Sequence, residues 1–200
     1  NKNIINISKI IWKLKKIEIF TDNLKNEKIL NFENNRDHLF SIVKNYQLYE
    51  IINKKLFFSK FYKKIELKKK QINFDKYNLI INTDVSSSFT KKFFNKKIIK
   101  TYNSSAYTTI IDHHDISNEV AVQIFTTAGP LAFLPISKSK TSIVYSIHNS
   151  RNKKKLDISQ LIQNYNFKYK IKKINKIENF DLKSFTLRKY YHNNILAFGD

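Results

Sequence analysis

Between Ala106 and Ile147 the sequence period is near two, with breaks, over four runs: Tyr107–Asp112, Val120–Phe125, Leu131–Ile136 and Ser142–Ile147. Successive side chains of a strand point to opposite faces, so a period near two predicts strands with one covered face. Four such runs in succession predict a meander of antiparallel strands, enough for a sheet of its own. A helical bundle or a coiled coil cannot accommodate this pattern, because its apolar period is 3.5–3.6.

The flanking segments predict smaller elements. Ile17–Phe20 and Ile29–Phe32, parted by the turn-rich Thr21–Asn26, read as a hairpin joined to the large sheet. From Leu39 onward, Ile42, Val43, Tyr46, Tyr49, Ile52 and Leu56 recur every three or four residues, which predicts an amphipathic helix. The compact run Tyr77–Asn82 predicts a buried strand ending at Thr83-Asp84. Leu156–Tyr165 reads as a second helix, Ser184–Leu187 as a strand, and Ile195–Phe198 as a last apolar run. This order predicts an α+β class, a sheet unit interleaved with pieces of another layer.

Composition narrows the function classes. The formal charge of +21 invites a nucleic-acid partner, but only Arg36, Arg151 and Arg188 are arginines among 37 basic residues. Arg supplies bidentate base and phosphate contacts, whereas Lys is a point charge. The lysines are spread along the chain, and Lys, Asn and Ile abound while Gly and Pro are scarce, which fits the bias of an AT-rich genome. The expectation is therefore no nucleic-acid partner, and an anionic membrane surface attracts such lysines better. The absence of cysteine rules out a disulfide framework and thiolate metal sites. No apolar run approaches the roughly 20 residues of a membrane span. The chain contains no methionine and stops at Gly199-Asp200 after an apolar run, so we expect an interior piece that continues in both directions. His113-His114-Asp115 is a poor metal site, since adjacent strand residues face opposite ways; a solvated strand end is expected, with His38, His148 and His192 on the surface.

The most specific segment is Glu119-Val-Ala-Val-Gln-Ile-Phe-Thr-Thr-Ala-Gly-Pro-Leu-Ala-Phe-Leu-Pro-Ile136, which holds both prolines and one of the two glycines. It resembles the FAD-dependent monooxygenases that hydroxylate the aromatic ring of ubiquinone precursors, whose pattern contains Gly-Pro-Leu-Ala-x-Leu-Pro. Three further segments resemble that family in its order. Ile42–Leu48 is similar to the start of a helix beside the flavin, and Tyr77–Lys91 to a strand followed by Ala-Asp-Gly-x-x-Ser-x-x-Arg. In the latter, Asp84 and Ser88 match, Val85 replaces the glycine and Lys91 the arginine. Asn194–Asp200 is similar to the strand leading to the family's Gly-Asp motif. The dinucleotide fingerprint Gly-x-Gly-x-x-Gly is not within these residues, which contain only Gly129 and Gly199.

The resemblance implies a fold of the para-hydroxybenzoate hydroxylase type, divided four ways: a substrate-domain hairpin at 1–41, part of an FAD-binding domain at 42–97, the substrate-domain sheet and helix at 98–183, and a return to the FAD-binding domain at 184–200. It implies FAD as cofactor, held in part by Asp84, Ser88, Gly199, Asp200, Asn45 and Gln47. It implies NAD(P)H as reductant and O2 as co-substrate, with hydroxylation of a polyprenylated phenol through a flavin hydroperoxide. Phe133, Pro135 and Tyr145 are the candidate substrate surface. No side chain is expected to act as catalytic acid, base or nucleophile, because the cofactor carries the chemistry. Without the upstream pyrophosphate site, the 200 residues alone are expected neither to retain FAD nor to turn over. The implied setting is cytoplasmic, peripheral at the inner membrane, alongside other quinone-biosynthesis proteins. The alternative is a degenerate, non-catalytic relative acting as a scaffold, for which Val85 argues, and a third is a basic nucleic-acid-binding module.

Overall fold

A computed structural model describes residues 7–22, 27–34, 37–65, 76–84, 86–149 and 156–199. The chain divides into two units, one of Asn1–Tyr62 and Asn103–Leu182, the other of Lys63–Tyr102 and Lys183–Asp200. In chain order the elements are β1 (Ile11–Leu14), β2 (Lys16–Thr21), β3 (Lys28–Glu33), β4 (Phe40–Val43), α1 (Asn45–Phe57), β5 (Ile80–Asn82), α2 (Ser88–Phe93) and β6 (Lys97–His113). There follow β7 (Val120–Thr126), β8 (Gly129–Pro135), β9 (Lys140–His148), α3 (Ile158–Tyr165), β10 (Ile171–Ile174), β11 (Glu178–Leu187), β12 (Tyr191–His192) and β13 (Ile195–Ala197). This is an α+β protein, as the order of apolar periods predicts.

The large sheet runs β10-β6-β9-β8-β7-β2-β3, with β11 also paired to β6. All four runs fall on its strands, Ile136 lying just past the end of β8, but the expected sequential meander holds only for β7, β8 and β9. β6 pairs with β9, Ala106 opposite Ser146 and Ile110 opposite Ser142, so the chain crosses from one side of the meander to the other before β7. The β2–β3 hairpin is present, with Ile17 opposite Phe32 and Ile19 opposite Leu30. It joins through a parallel pairing of β2 with β7, a geometry that alternation alone does not distinguish from an antiparallel one.

One face of this sheet is closed. Phe20, Ile124, Leu131 and Tyr145 form one cross-strand row and Val122, Phe133 and Ile143 the next, all buried. Ile158 and Ile162 of α3 and Tyr169 join them. Burying each such side chain contributes about 1.5–3 kcal/mol. Asp157 caps α3 by accepting from the Gln160 N–H at 3.0 Å. The β7–β8 turn depends on Gly129, whose φ of +141° is one that L side chains rarely adopt; a Cβ there would collide with the Ser146 carbonyl. Thr126 Oγ1 completes the turn by donating to the Gly129 carbonyl at 2.7 Å.

β6 and β11 begin earlier than the sequence reading has them, at Lys97 and Glu178, and two further differences touch the candidate residues. Ile42 and Val43 belong to β4, where they pair with Trp12 and Ile11 of β1, and the helix begins only at Asn45. β-Branched residues suit a pleated strand, and the partner strand β1 was not anticipated. The strand at Tyr77–Asn82 is shorter and less covered than expected: Leu79 is 57% and Ile81 55% exposed. β5 is an edge strand, and only its Ile80 side packs with Phe89 and Phe93 against Phe94, Leu187, Ile195 and Ala197.

Candidate functional site

In the second unit β5 and β13 run parallel, Ile80 beside Ile195 and Asn82 beside Ala197. Their carboxyl ends deliver Thr83-Asp84 and Phe198-Gly199 to one edge, the place where parallel sheets hold ligands. A cleft of about 300 Å³ opens there, lined by Asp84, Thr90, Lys183, Tyr190, Phe198 and Gly199 among others. Gly199 has φ +119°, but a Cβ would come no closer than 3.7 Å to the Thr83 carbonyl, so backbone conformation and not space demands glycine.

The turn from β5 into α2 is tied by side chains. Ser87 Oγ accepts from the Thr90 N–H at 3.2 Å and donates to Asn82 Oδ1 at 3.0 Å. Asn82 Nδ2 donates to Thr90 Oγ1 at 2.8 Å, and Thr90 Oγ1 donates to the Asp84 carbonyl at 2.8 Å. The Asp84 carboxylate accepts from Ser86 Oγ at 2.7 Å and from the Ser86 N–H at 2.8 Å, bonds that hold its pKa below the ordinary carboxylate value. Both bonds end on Oδ1, so Oδ2 has lone pairs to offer a ligand hydroxyl. Ser88 is the first residue of α2 and exposed, while the cap is Ser87. Asn82 and Thr90, which fix this turn, escaped the sequence reading because their pairing is made only when strand and helix meet. Val85 and Asp200 lie outside the described residues.

Asn45 and Gln47 start α1 in the first unit, Asn45 exposed and Gln47 half-buried, and belong to a different unit from Asp84 and Gly199. The candidate substrate surface requires correction. Phe133 and Tyr145 are 2% and 1% exposed, and Pro135 is among the fully buried side chains. Phe133 stacks on Tyr169, with centroids 5.9 Å apart. The Tyr145 hydroxyl meets Thr126 Oγ1 at 2.9 Å, and burial raises its pKa. All three lie on the closed face, because alternation places odd-numbered residues of β8 and β9 there.

The opposite face of the same strands is half-open. One row crosses it from Leu30 through Ile19, Gln123, Ala132 and Val144 to Thr108. Pro130 and Leu134 flank Ala132 on β8, and Phe125, 45% exposed, flanks Gln123 on β7. The face is apolar around β8, with Ala132 at its centre and polar Gln123, Ser142, Ser146 and Thr108 on the neighbouring strands, and it shares the Gly-Pro-Leu-Ala motif with the closed face. Parity decides which residues face out: Pro130, Ala132 and Leu134 are available to a ligand, Leu131, Phe133 and Pro135 are not.

His113 also differs from expectation. It is 2% exposed, its Nδ1 lies 2.8 Å from the His114 carbonyl and its Nε2 3.0 Å from Thr141 Oγ1. Asn118, fully buried, donates to Thr141 Oγ1 at 3.0 Å and accepts from the Tyr169 hydroxyl at 3.1 Å. The network satisfies the buried polar groups where β6 ends and anchors the crossover to β7. Among the described residues no group of three His, Cys, Asp or Glu could hold a metal ion.

No protein-family model matches this sequence, and no curated protein matches it either. Solved structures do match. PqsL, a probable FAD-dependent monooxygenase from Pseudomonas aeruginosa, is 11% identical with TM-score 0.68, covering 96% of this chain and 62% of its own. The flavin-dependent brominase Bmp2 is 10% identical with TM-score 0.65, over 96% and 57%. The 2-methyl-3-hydroxypyridine-5-carboxylic acid oxygenase is 9% identical with TM-score 0.63, over 97% and 59%. The chain thus spans 57–62% of the length of these structures. At such identities the likeness is one of fold: the chain has the α+β fold of the substrate-binding domain of FAD-dependent monooxygenases.

Proposed function

We propose that this chain is part of an FAD-dependent monooxygenase that hydroxylates the ring of a polyprenylated phenol in ubiquinone biosynthesis, with NAD(P)H as reductant and O2 as oxidant. The observation that carries the reading is the half-open, apolar sheet face, offered by strands bearing Gly129-Pro130-Leu131-Ala132, in a chain with a flavin-monooxygenase fold. A flat phenol ring fits a surface with Ala132 at its centre and larger apolar residues at its margins.

The second unit fits part of the cofactor. Hydrogen bonds from Ser86 hold the Asp84 carboxyl below its ordinary pKa and leave it an acceptor oxygen for a polyol hydroxyl, and the positive-φ Gly199 presents backbone at the ends of parallel strands. Asp84 and Gly199 would hold FAD there, with Ser88 and Asp200 as further candidates of the same unit. Bound FAD would supply the redox chemistry, taking electrons from NAD(P)H and passing oxygen to the ring. The chain's own part is to bind and orient the ring and to exclude water from it. The lysine excess would favour work at an anionic membrane surface beside other quinone-biosynthesis proteins. Among the described residues no helix is long and apolar enough to cross a membrane.

The test is to purify the whole protein, desalt it and record flavin absorbance, then supply NAD(P)H, ¹⁸O2 and a prenylated phenol. Bound flavin and one labelled oxygen in the product are expected. A protein free of flavin, or one that binds flavin but transfers no labelled oxygen to the phenol, would overturn the proposal.

A further inference from the structure

We infer that Gln123 is the residue that reads the phenol hydroxyl, an assignment that rests on the hydroxylase function proposed above. Gln123 sits in the middle of β7 on the half-open face. Its cross-strand neighbours are Ile19 on β2 and Ala132 on β8, and its neighbours on the same face of β7 are Ala121 and Phe125. All four are apolar. No hydrogen bond to the Gln123 amide is made by any described residue, although the side chain is half-buried. A partly desolvated amide among apolar groups is a poor arrangement for stability alone, and it is a good one for a ligand that brings the missing partner.

The chemistry of the amide selects the ligand. Its carbonyl oxygen accepts and its NH2 donates, so it matches a hydroxyl, which does both. Ala132 leaves room for a flat ring beside Gln123, Ile19 and Phe125 give that ring apolar margins, and the buried Ala121 closes the other end of the strand. The hydroxyl groups closest in sequence to Gln123 are committed, while Thr108, Ser142 and Ser146 of the same face lie on β6 and β9, two or more strands from β7. Thr126 and Tyr145 bond each other on the closed face, and Thr21 Oγ1 donates to the Phe125 carbonyl at 3.3 Å. An aromatic ring carrying one hydroxyl satisfies both the apolar surround and the unpaired amide. A purely apolar ligand would leave the amide unpaired.

The experiment measures dissociation constants calorimetrically on the purified whole protein, for a 2-prenylphenol and for its methyl ether. Gln123→Leu is expected to weaken phenol binding about tenfold, the loss of one hydrogen bond, and to leave the ether unchanged. Gln123→Glu, which keeps an acceptor, is expected to restore phenol binding. Thermal melts control for folding, and if Gln123→Leu melts early the isosteric Gln123→Met is read in its place. Equal phenol binding by wild type and variant would overturn the assignment, as would equal losses for phenol and ether. Wild-type protein that binds neither compound overturns it together with the hydroxylase reading. A wild type that binds the phenol, discriminates through Gln123 and transfers no oxygen overturns the hydroxylase reading alone.

Discussion

Both glycines have positive φ, yet the two positions carry different loads. Gly129 combines φ +141° with a Cβ path blocked by the Ser146 carbonyl, whereas Gly199 at φ +119° has ordinary clearance from Thr83. Backbone strain at such angles costs about 1–3 kcal/mol. Gly129→Ala is therefore expected to lower the urea midpoint by more than Gly199→Ala, since it adds a collision to the strain. Equal shifts would show that the β8 backbone relaxes. Titration gives a second residue-scale expectation. Burial raises the pKa of Tyr169 to about 12, and burial together with Asp22, 2.9 Å from its hydroxyl, raises Tyr165 to about 12 as well. Their folded values lie above the ordinary 10.0. The stability this represents is thus present below pH 10 and lost as pH rises toward 12. In spectrophotometric titration these two of the 11 tyrosines should ionise late, together with unfolding, and Tyr165→Phe should flatten the alkaline loss. Two early-titrating tyrosines at these positions would contradict the burial. The carboxylates give the opposite sign: Asp112, hydrogen-bonded to Lys140 at 2.8 Å, has a lowered pKa, so its contribution exists above its unfolded value near 4 and fades as pH falls below it.

Among elements, α3 is the one whose docking is most legible. Its apolar residues Ile158 and Ile162 are four apart and buried, with Leu161 beside them. Ile162→Ala is expected to cost about 2–5 kcal/mol, against about 1 kcal/mol for Asp157→Ala at the cap. Chemical denaturation measures both, and a cap loss exceeding the core loss would mean that α3 is held by its end and not by its face. The strand runs were legible because period two survives wherever one face is covered. The helix boundary at Asn45 was not: Ile42 and Val43 match a helical spacing as well as a strand one, and only pairing with Ile11 and Trp12 decides between them. Phe133, Pro135 and Tyr145 have the parity of the closed face, which buries them. Nothing within a strand marks which of its two apolar rows meets the helix.

At the scale of the whole molecule, charge is the largest number and the weakest guide. With 34 lysines (37 basic residues less three arginines) spread along the chain, duplex DNA binding is expected to be weak and lost at moderate salt. A nanomolar, sequence-selective complex at physiological salt would reverse that expectation. By itself the sequence determined the α+β class, the runs that become β2, β3, β7, β8 and β9, the turn at Gly129 and the placement of Asp84 and Gly199 at strand ends, because local periodicity, turn chemistry and backbone conformation are written in neighbouring residues. Tertiary structure alone decided that β6 joins the sheet beyond β9, that β2 runs parallel to β7, that His113 is sealed beneath Tyr169, and that Gln123 and Ala132 are presented outward. Those outcomes depend on which distant surfaces meet, and residues far apart in the chain carry no local mark of the partner that will bury them.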